Sequence, residues 1–180
     1  TKAALNYFIQ SKKDELNIVD VGSGSSDNLL AAKSKYPNLK IISIDKNLRA
    51  LSGSENLLEK INSNAFKLPF KNNSCDIVHS ALFLHHFTEE ELHFLLKEFL
   101  RTARKGIIIN DLQRSYFALL GIKILTILFS KSEMVKNDAP LSVKRGFTKA
   151  ELGKLFEDAE VQNFFIKWKW AFRWMVVIRK

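Results

Sequence analysis

The last two apolar segments of the chain, residues 161–168 and 172–179, are separated by only three residues. A parallel strand pair needs a crossover of a dozen or more residues, so we predict that these strands form an antiparallel hairpin. Upstream, short apolar segments alternate with segments of helical spacing, which is typical of a parallel sheet with helices on both faces. The chain is therefore predicted to be an α/β protein with a doubly wound, mostly parallel, seven-stranded sheet that ends in an antiparallel hairpin.

Strands are predicted where short apolar runs end in turn residues, and helices where apolar residues recur every three or four positions. Two helices open with a capping box, Thr88 with Glu91 and Thr148 with Glu151. All three prolines, Pro140 among them, are interpreted as lying between elements. The predicted strands are 16–21, 39–44, 60–63, 75–82, 106–111, 161–168 and 172–179, and the predicted helices are 3–13, 27–35, 47–51, 89–102, 115–130 and 148–159.

Length and composition limit the class of protein. A chain of 180 residues favours one domain with one sizeable core, and we expect a short or truncated leader before its first strand. The net charge of +9 falls entirely in residues 101–180, whereas a uniformly basic nucleic-acid-binding domain would spread it. Cys75 is the single cysteine, so a disulfide framework and a multi-thiolate zinc site are excluded, no metal is expected, and a reducing cytoplasm is favoured.

The first predicted strand runs directly into a glycine-containing turn, because residues 20–26 read D-V-G-S-G-S-S. Glycines at a strand-to-helix turn let the backbone approach a ligand, and the following helix offers free N–H groups. A nicotinamide fingerprint would need glycine at position 27, where this chain has Asp27, and a carboxylate disfavours a pyrophosphate there. Asp45 ends the second strand, where a carboxylate accepts hydrogen bonds from ribose hydroxyls.

These segments, together with three that follow, resemble the class I S-adenosylmethionine-dependent methyltransferases of the small-molecule type, the group that includes the ubiquinone and menaquinone biosynthesis enzymes. The family's glycine motif matches residues 18–24, and its acidic residue after strand 2 matches Asp45. Its Asp-Ala-x-x-Leu-Pro-Phe stretch matches residues 64–70, and its fourth strand and following turn match residues 75–78 and 84–87. The resemblance implies a Rossmann-like enzyme that binds S-adenosylmethionine and releases S-adenosylhomocysteine.

Carried over position by position, the resemblance implies which residues contact the cofactor. Where the family has an aspartate near the adenine, this chain has Asn64, whose amide both donates and accepts hydrogen bonds. The implied contacts are Asp20, Gly22, Ser23 and Gly24 at the methionine end, Asp45 at the ribose, Lys46 beside the adenine, Asn64 and Ala65 at the adenine edge, and Ser80 near the amino group or sulfonium.

Methyl transfer is an in-line displacement, so the enzyme mainly positions the reactants and excludes water. A base is needed only when the acceptor is protonated, as a phenol or carboxylic acid is. We predict His85 and Asp111 as catalytic residues because both follow central strands, where ligands bind in such sheets. The alternatives are that one of His85 and His86 shapes the pocket wall while the other caps the helix at Thr88, and that Asp111 caps the next helix.

The predicted helix at residues 115–130 is apolar almost all round, whereas a surface helix would show a polar face. It is too short to span a membrane, which takes about 20 apolar residues. Burial in the core, a lid over the substrate, a homodimer face and a peripheral membrane contact all remain open. Basic residues of the second half, among them Lys144 and Arg145, are candidates for recognising an acidic acceptor, a carrier or a lipid surface.

We therefore predict a cytoplasmic methyltransferase that acts on a small, lipophilic or aromatic acceptor, most readily at oxygen. The first alternative is an RNA or protein methyltransferase, supported by the basic second half. Against it, residues 80–83 lack the Asn/Asp-Pro-Pro-aromatic motif of nucleobase amino-group methylases, and the basic residues form no stripe, so nucleic acid is not an expected partner. The second alternative is a protein that binds S-adenosylmethionine without catalysis.

Overall fold

The computed structural model describes residues 1–11, 13–24, 26–52 and 59–180. Within them the chain forms one seven-stranded sheet with helices packed on both of its faces. The strands are β1 (Leu16–Val21), β2 (Leu39–Asp45), β3 (Glu59–Asn62), β4 (Cys75–Ala81), β5 (Ala103–Leu112), β6 (Phe164–Lys169) and β7 (Arg173–Arg179). The helices are α1 (Lys2–Leu5), α2 (Asp27–Lys33), α3 (Leu48–Ser52), α4 (Glu89–Thr102), α5 (Tyr116–Phe129), α6 (Glu133–Arg145) and α7 (Lys149–Asp158), with a 3₁₀ turn at Leu84–His86.

The sheet has the strand order β3-β2-β1-β4-β5-β7-β6. The first five strands are parallel, whereas β7 runs antiparallel to both of its neighbours, β5 and β6. This arrangement confirms the predicted fold class, including the terminal hairpin. Because strand order reverses between β1 and β4, the carboxyl ends of these two strands border the crevice where ligands bind in such sheets.

Buried side chains alternate between the two faces of the central strands. On β1, Val19 and Val21 belong to the apolar cluster beneath α4 and α7, whereas Ile18 belongs to the cluster beneath α1 and α2. On β4 the burial is continuous from Cys75 to Ser80, as expected for a strand covered on both faces. Two polar residues on these strands, Asp20 and His79, are therefore placed inside the protein.

Two expectations about the helices were wrong. The first helix was predicted over residues 3–13, but α1 ends at Leu5; Lys12 lies outside the described residues. Pro140 was expected between elements, but it is buried within α6. An interior proline removes one backbone hydrogen bond, so it normally argues against a helix. Here the Ser132 side chain accepts a hydrogen bond from Val135 at the helix start, and α6 packs against α5.

A partly buried ion pair on α4 fixes the loop that follows β3. The Glu98 carboxylate accepts hydrogen bonds from the Leu68 N–H at 2.6 Å and from the Arg101 guanidinium at 2.7 Å. Arg101 in turn donates to the carbonyl oxygens of Phe70 at 2.7 Å and of Leu68 at 3.2 Å. The loop carries Asn64 and Ala65, so this pair holds two predicted cofactor contacts in place.

We predict that Glu98→Gln lowers the free energy of unfolding by about 1–3 kcal/mol, because charge-assisted hydrogen bonds are lost from a largely buried site. The hydrogen bond from Arg101 holds the pKa of Glu98 below its usual value of 4.5. Stability from this carboxylate is therefore present above pH 4.5 and lost as the pH falls through the lowered pKa. Urea denaturation at neutral and acid pH should show the difference from wild type shrinking with acid.

Glu157→Gln is the matched control, because Glu157 lies exposed on α7. Its unfolding free energy should stay close to wild type at both pH values. Equal stability of Glu98→Gln and wild type at neutral pH would contradict the role given to this pair.

Candidate active site

The turn after β1 brings the backbone into a shape that favours glycine at two positions. Gly22 has φ +65° and Gly24 has φ +51°, both in the left-handed region. A Cβ on Gly22 would also lie 2.1 Å from the ring of Phe83, whereas one on Gly24 would meet nothing within 4 Å. The Ser23 hydroxyl in this turn is buried and has no hydrogen-bond partner among the described residues. Ser25 lies outside that part of the chain.

Asp45 connects the glycine turn to the end of β2. One of its carboxylate oxygens accepts a hydrogen bond from the Gly24 N–H at 3.0 Å, and the other accepts one from the Asn47 N–H at 2.8 Å. An ionised carboxylate offers about four lone-pair sites, so each oxygen can accept a further bond. The side chain is only partly buried and borders an open cavity.

This cavity has a volume of about 320 Å³ and lies beside the carboxyl ends of β1 and β2. Its size falls at the lower end of the range for small-molecule sites. Both apolar and polar residues form its wall. Five residues predicted as cofactor contacts line it, namely Gly22, Asp45, Lys46, Asn64 and Ala65, together with Ile44, Ser63, Phe66, Phe83, Phe87 and Glu91.

Asp20 and Ser80, two other predicted contacts, lie in the sheet rather than in the cavity wall. Asp20 is 3% exposed, and one of its carboxylate oxygens lies 2.7 Å from Nδ1 of His79. The Ser80 hydroxyl donates to the Val21 carbonyl oxygen at 3.2 Å. Both side chains thus brace β1 against β4, just before the glycine turn.

Sequence reasoning missed His79, which is completely buried. Its register could have revealed it, because Asp20 and His79 are directly paired in the parallel ladder of β1 and β4. A histidine inside an otherwise apolar strand, level with an acidic residue at the end of the neighbouring strand, predicts such a contact. The Nε2 atom of His79 lies 3.0 Å from the Thr1 hydroxyl.

The two residues predicted as catalytic, His85 and Asp111, are brought together. The His85 Nδ1 atom lies 2.6 Å from an Asp111 carboxylate oxygen, and both side chains are almost fully buried. The same carboxylate accepts hydrogen bonds from the backbone N–H groups of Phe83, Leu84 and Leu112 at 3.1, 2.8 and 2.7 Å. Its lone-pair sites are therefore filled, and the proton shared with the imidazole resides on Nδ1.

The alternative that Asp111 caps the next helix is wrong. Ser115 occupies the N-cap position of α5, and Asp111 instead anchors the 3₁₀ turn after β4. The neighbouring ring of His86 stacks at 4.1 Å on His85. Partial burial and, to a smaller extent, the positive charge of Arg145 lower the pKa of His86 below its usual value of 6.5, against the opposing charge of Asp111.

A separate group of potential metal ligands lies on the surface. Carboxylate and imidazole atoms of Glu89, His93 and Asp158 lie within 4.8 Å of one another, at the start of α4 and the end of α7. Glu89 and Asp158 are exposed, and exposed acidic groups commonly cluster without an ion. The expectation that no metal takes part stays a prediction.

Residues 19–109 match the family model described as a methyltransferase domain. The chain therefore belongs to this family of methyltransferase domains, and the predicted class, an S-adenosylmethionine-dependent methyltransferase, is confirmed at that level. The match begins in β1 and ends in β5, so it contains the glycine turn, Asp45 and the turn after β4.

Among curated proteins, the release factor glutamine methyltransferase of Staphylococcus aureus is 33% identical over 60 residues, which is 33% of this chain and 22% of that protein. Among solved structures, a SAM-dependent methyltransferase from Aquifex aeolicus has a TM-score of 0.70 at 18% identity, covering 99% of this chain and 88% of that one. The plantazolicin methyltransferase BpumL in complex with SAH has a TM-score of 0.74 at 15% identity, covering 99% and 81%. These structures share the fold of this chain.

We predict that Gly22→Ala destabilises the protein more than Gly24→Ala does. Both alanines must adopt a positive φ, which is unfavourable by about 1–2 kcal/mol. Only the Cβ at position 22 also overlaps a neighbouring ring, which adds about 1–3 kcal/mol. Urea denaturation of the two variants measures the difference.

The double variant Gly22→Ala/Phe83→Ala isolates the overlap, because Phe83→Ala removes the ring. Relative to Phe83→Ala alone, the added alanine should be no more destabilising than Gly24→Ala is in the wild-type background. Equal destabilisation by Gly22→Ala and Gly24→Ala in the wild-type background would contradict the close contact between Gly22 and Phe83.

Proposed function

We propose that this protein transfers the methyl group of S-adenosylmethionine to a small, lipophilic or aromatic acceptor, most readily at an oxygen atom. The observation that carries the proposal is the buried pair of His85, in the turn after β4, and Asp111, near the end of β5. Phe83 and Phe87, which flank His85 in the chain, line the cavity that holds most of the predicted cofactor contacts. A positioned base is required for an acceptor that must lose a proton, such as a phenol.

The cavity suits the adenosine part of the cofactor. Asp45 has lone pairs free to accept hydrogen bonds from two ribose hydroxyls, and Asn64 offers an amide at the adenine edge. The rings of Phe66 and Phe87, which meet edge to face at 5.5 Å, provide an apolar surface for a flat base. Lys46 lies in the same wall and would flank the adenine.

The methionine end fits the glycine turn. Gly22 lines the cavity, with the Phe83 ring packed close against its backbone, and the buried Ser23 hydroxyl beside it lacks a hydrogen-bond partner among the described residues, so we assign this hydroxyl to a polar group of the methionine end. When bound, the cofactor supplies an electrophilic methyl group on a sulfonium. We assign Asp20 and Ser80 a positioning role, because their hydrogen bonds with His79 and Val21 hold the turn from within the sheet.

His85 is proposed as the general base. Its Nδ1–H donates to Asp111, which leaves the lone pair of Nε2 to accept a proton from the acceptor. This Nε2 atom has no hydrogen-bond partner within the described ranges. Asp111 acts as a positioning residue, because it fixes the tautomer and orientation of the imidazole while its remaining lone pairs bind backbone N–H groups.

We further propose that residues 1–180 act as one methyltransferase domain. The support is the uninterrupted sheet, in which the pairing of β5 with β7 connects the matched region to the terminal hairpin. We also propose that the functional type nearest to this domain is the quinone-biosynthesis group. We propose a cytoplasmic location because Cys75, the single cysteine, is a free thiol, as is usual in a reducing compartment. Burial raises the pKa of this thiol.

Protein methylation is the second candidate function. It is favoured by the sequence match to the release factor glutamine methyltransferase, although this match spans about a fifth of that protein. A glutamine amide acceptor would not use the His85–Asp111 pair in the same way, since an amide nitrogen is far less acidic than a phenol. The effect of His85→Gln on turnover therefore separates the two candidates.

Isothermal titration should show micromolar binding of S-adenosylmethionine to the wild-type chain, and Asp45→Ala should abolish most of it. The reason is the loss of the acceptor for the ribose hydroxyls, where each hydrogen bond to a charged group contributes about 1.5–3 kcal/mol. Glu157→Gln on α7 is the control and should bind like wild type. Unchanged affinity of a folded Asp45→Ala variant would rule out this placement of the ribose.

With a phenolic acceptor, His85→Gln should lower kcat by about 10²–10⁴ while leaving S-adenosylmethionine affinity unchanged, because His85 does not line the cofactor cavity. His93→Gln, on α4, is the control and should keep wild-type turnover. Full turnover by His85→Gln would remove the general-base role.

A further inference from the structure

α5 exposes its apolar side to solvent. Phe117 is 72% exposed and Leu128 is 68% exposed, although both are large hydrophobic residues. Only Ala118 and Thr126 are buried, so the small residues of α5 face the protein. The exposed large apolar residues of α5, which we call the apolar α5 face, are Tyr116, Phe117, Leu120, Ile124, Leu125, Ile127, Leu128 and Phe129.

The apolar α5 face is continuous. With 3.6 residues per turn, the positions from 116 to 128 in this set fall on one half of the helix, and the buried Thr126 lies on the opposite half. A surface helix of a globular protein normally shows the reverse arrangement. The face exposes on the order of 1,000 Å² of apolar surface, more than the roughly 300–600 Å² of the largest patch on a typical monomer.

The geometry of α5 suits a membrane surface rather than a membrane span. A helix of 14 residues is about 21 Å long, whereas the hydrocarbon core is about 30 Å thick. In the described ranges of the chain, no helix has the length and apolar character needed to cross a membrane. A helix with one wide apolar face can instead lie in the plane of the lipid headgroups with that face buried.

Positive charge surrounds the same helix pair. Residues 116–145 contain five basic and two acidic side chains. Lys136 pairs with Glu133 at 2.7 Å, which leaves Asp138 as the other carboxylate. Four exposed cations of α5, α6 and the loop between them have no carboxylate partner in the part of the chain that is described, namely Lys123, Lys131, Lys144 and Arg145.

Other basic residues of the second half have structural roles. Arg179 donates to the Tyr7 carbonyl oxygen at 2.9 Å, and the Lys180 ammonium donates to the Asn73 side chain at 2.5 Å and the Leu100 carbonyl oxygen at 2.7 Å. These residues hold the end of β7 against neighbouring segments. The four unpaired cations of α5, α6 and the loop between them belong to the same segment of the chain as the apolar α5 face.

We propose that the apolar α5 face and these four cations dock the protein on a bilayer that contains anionic phospholipids. The apolar side chains would enter the headgroup region, and the cations would meet lipid phosphates, each contributing to binding near the surface. A second copy of the chain fits less well, because a twofold interface on this face would bring together two copies of the same cationic surface, so unpaired cations such as Lys123 would approach like charge. The proposal goes beyond the methyl-transfer activity and does not depend on the acceptor.

Vesicle flotation of the full chain tests the proposal, with phosphatidylcholine vesicles that either lack or contain phosphatidylglycerol. Binding should require phosphatidylglycerol and weaken with salt. Lys131→Gln/Lys144→Gln should weaken it about thirtyfold, and Phe117→Gln/Leu128→Gln at least about tenfold. The controls are Lys71→Gln/Lys97→Gln and Phe94→Gln, which alter exposed residues outside α5 and α6 and should bind like wild type.

Circular dichroism melts check that each variant stays folded, which is expected because every altered side chain is exposed. Sedimentation velocity tests whether a second copy of the chain covers the apolar α5 face instead. A dimer that Phe117→Gln/Leu128→Gln dissociates, with no vesicle binding by the wild type, would overturn the proposal and assign the face to a second copy. A wild-type monomer that fails to bind phosphatidylglycerol vesicles would overturn it as well.

Discussion

One carboxylate, that of Asp111, determines the geometry after the two central strands. It accepts four hydrogen bonds, from three backbone N–H groups and from His85, and it is 1% exposed. A buried carboxylate is unfavourable unless its lone pairs are filled, so the 3₁₀ turn must fold around it. The hydrogen bonds that compensate for the burial of the Asp111 carboxylate also orient His85. Local stability and the proposed base thus depend on the same group.

The cofactor side of the site has a different organisation. Its backbone is held by contacts made within the sheet, such as the Asp20–His79 pair, while the cavity wall comes from Asp45 and the loop that Glu98 and Arg101 fix. The loop residues 63–66 of this wall are thereby connected to α4 through the hydrogen bonds of Leu68 and Phe70. A site supported in this way is expected to keep its shape before ligands bind, which favours precise positioning.

Much of the fold could be predicted from the sequence because its signals are local. The short connection before Phe172 forces a hairpin, and the Thr88 and Thr148 capping boxes are both present in the structure. The helix α6 was not predicted because Pro140 argues against it locally. His79 was missed because a histidine within a buried strand resembles core until its register with Asp20 is known. The role of Asp111 depends on a contact between β5 and the turn after β4, which no local pattern reveals.

The central claim is that the cavity beside Asp45 binds the adenosine of S-adenosylmethionine and directs the methyl group toward His85. A crystal structure of the chain with S-adenosylhomocysteine tests it most directly. The account predicts both ribose hydroxyls within hydrogen-bond distance of the Asp45 carboxylate and the adenine beside Asn64 and Ala65. A ligand bound elsewhere on the chain, or a ribose without contact to Asp45, would contradict it.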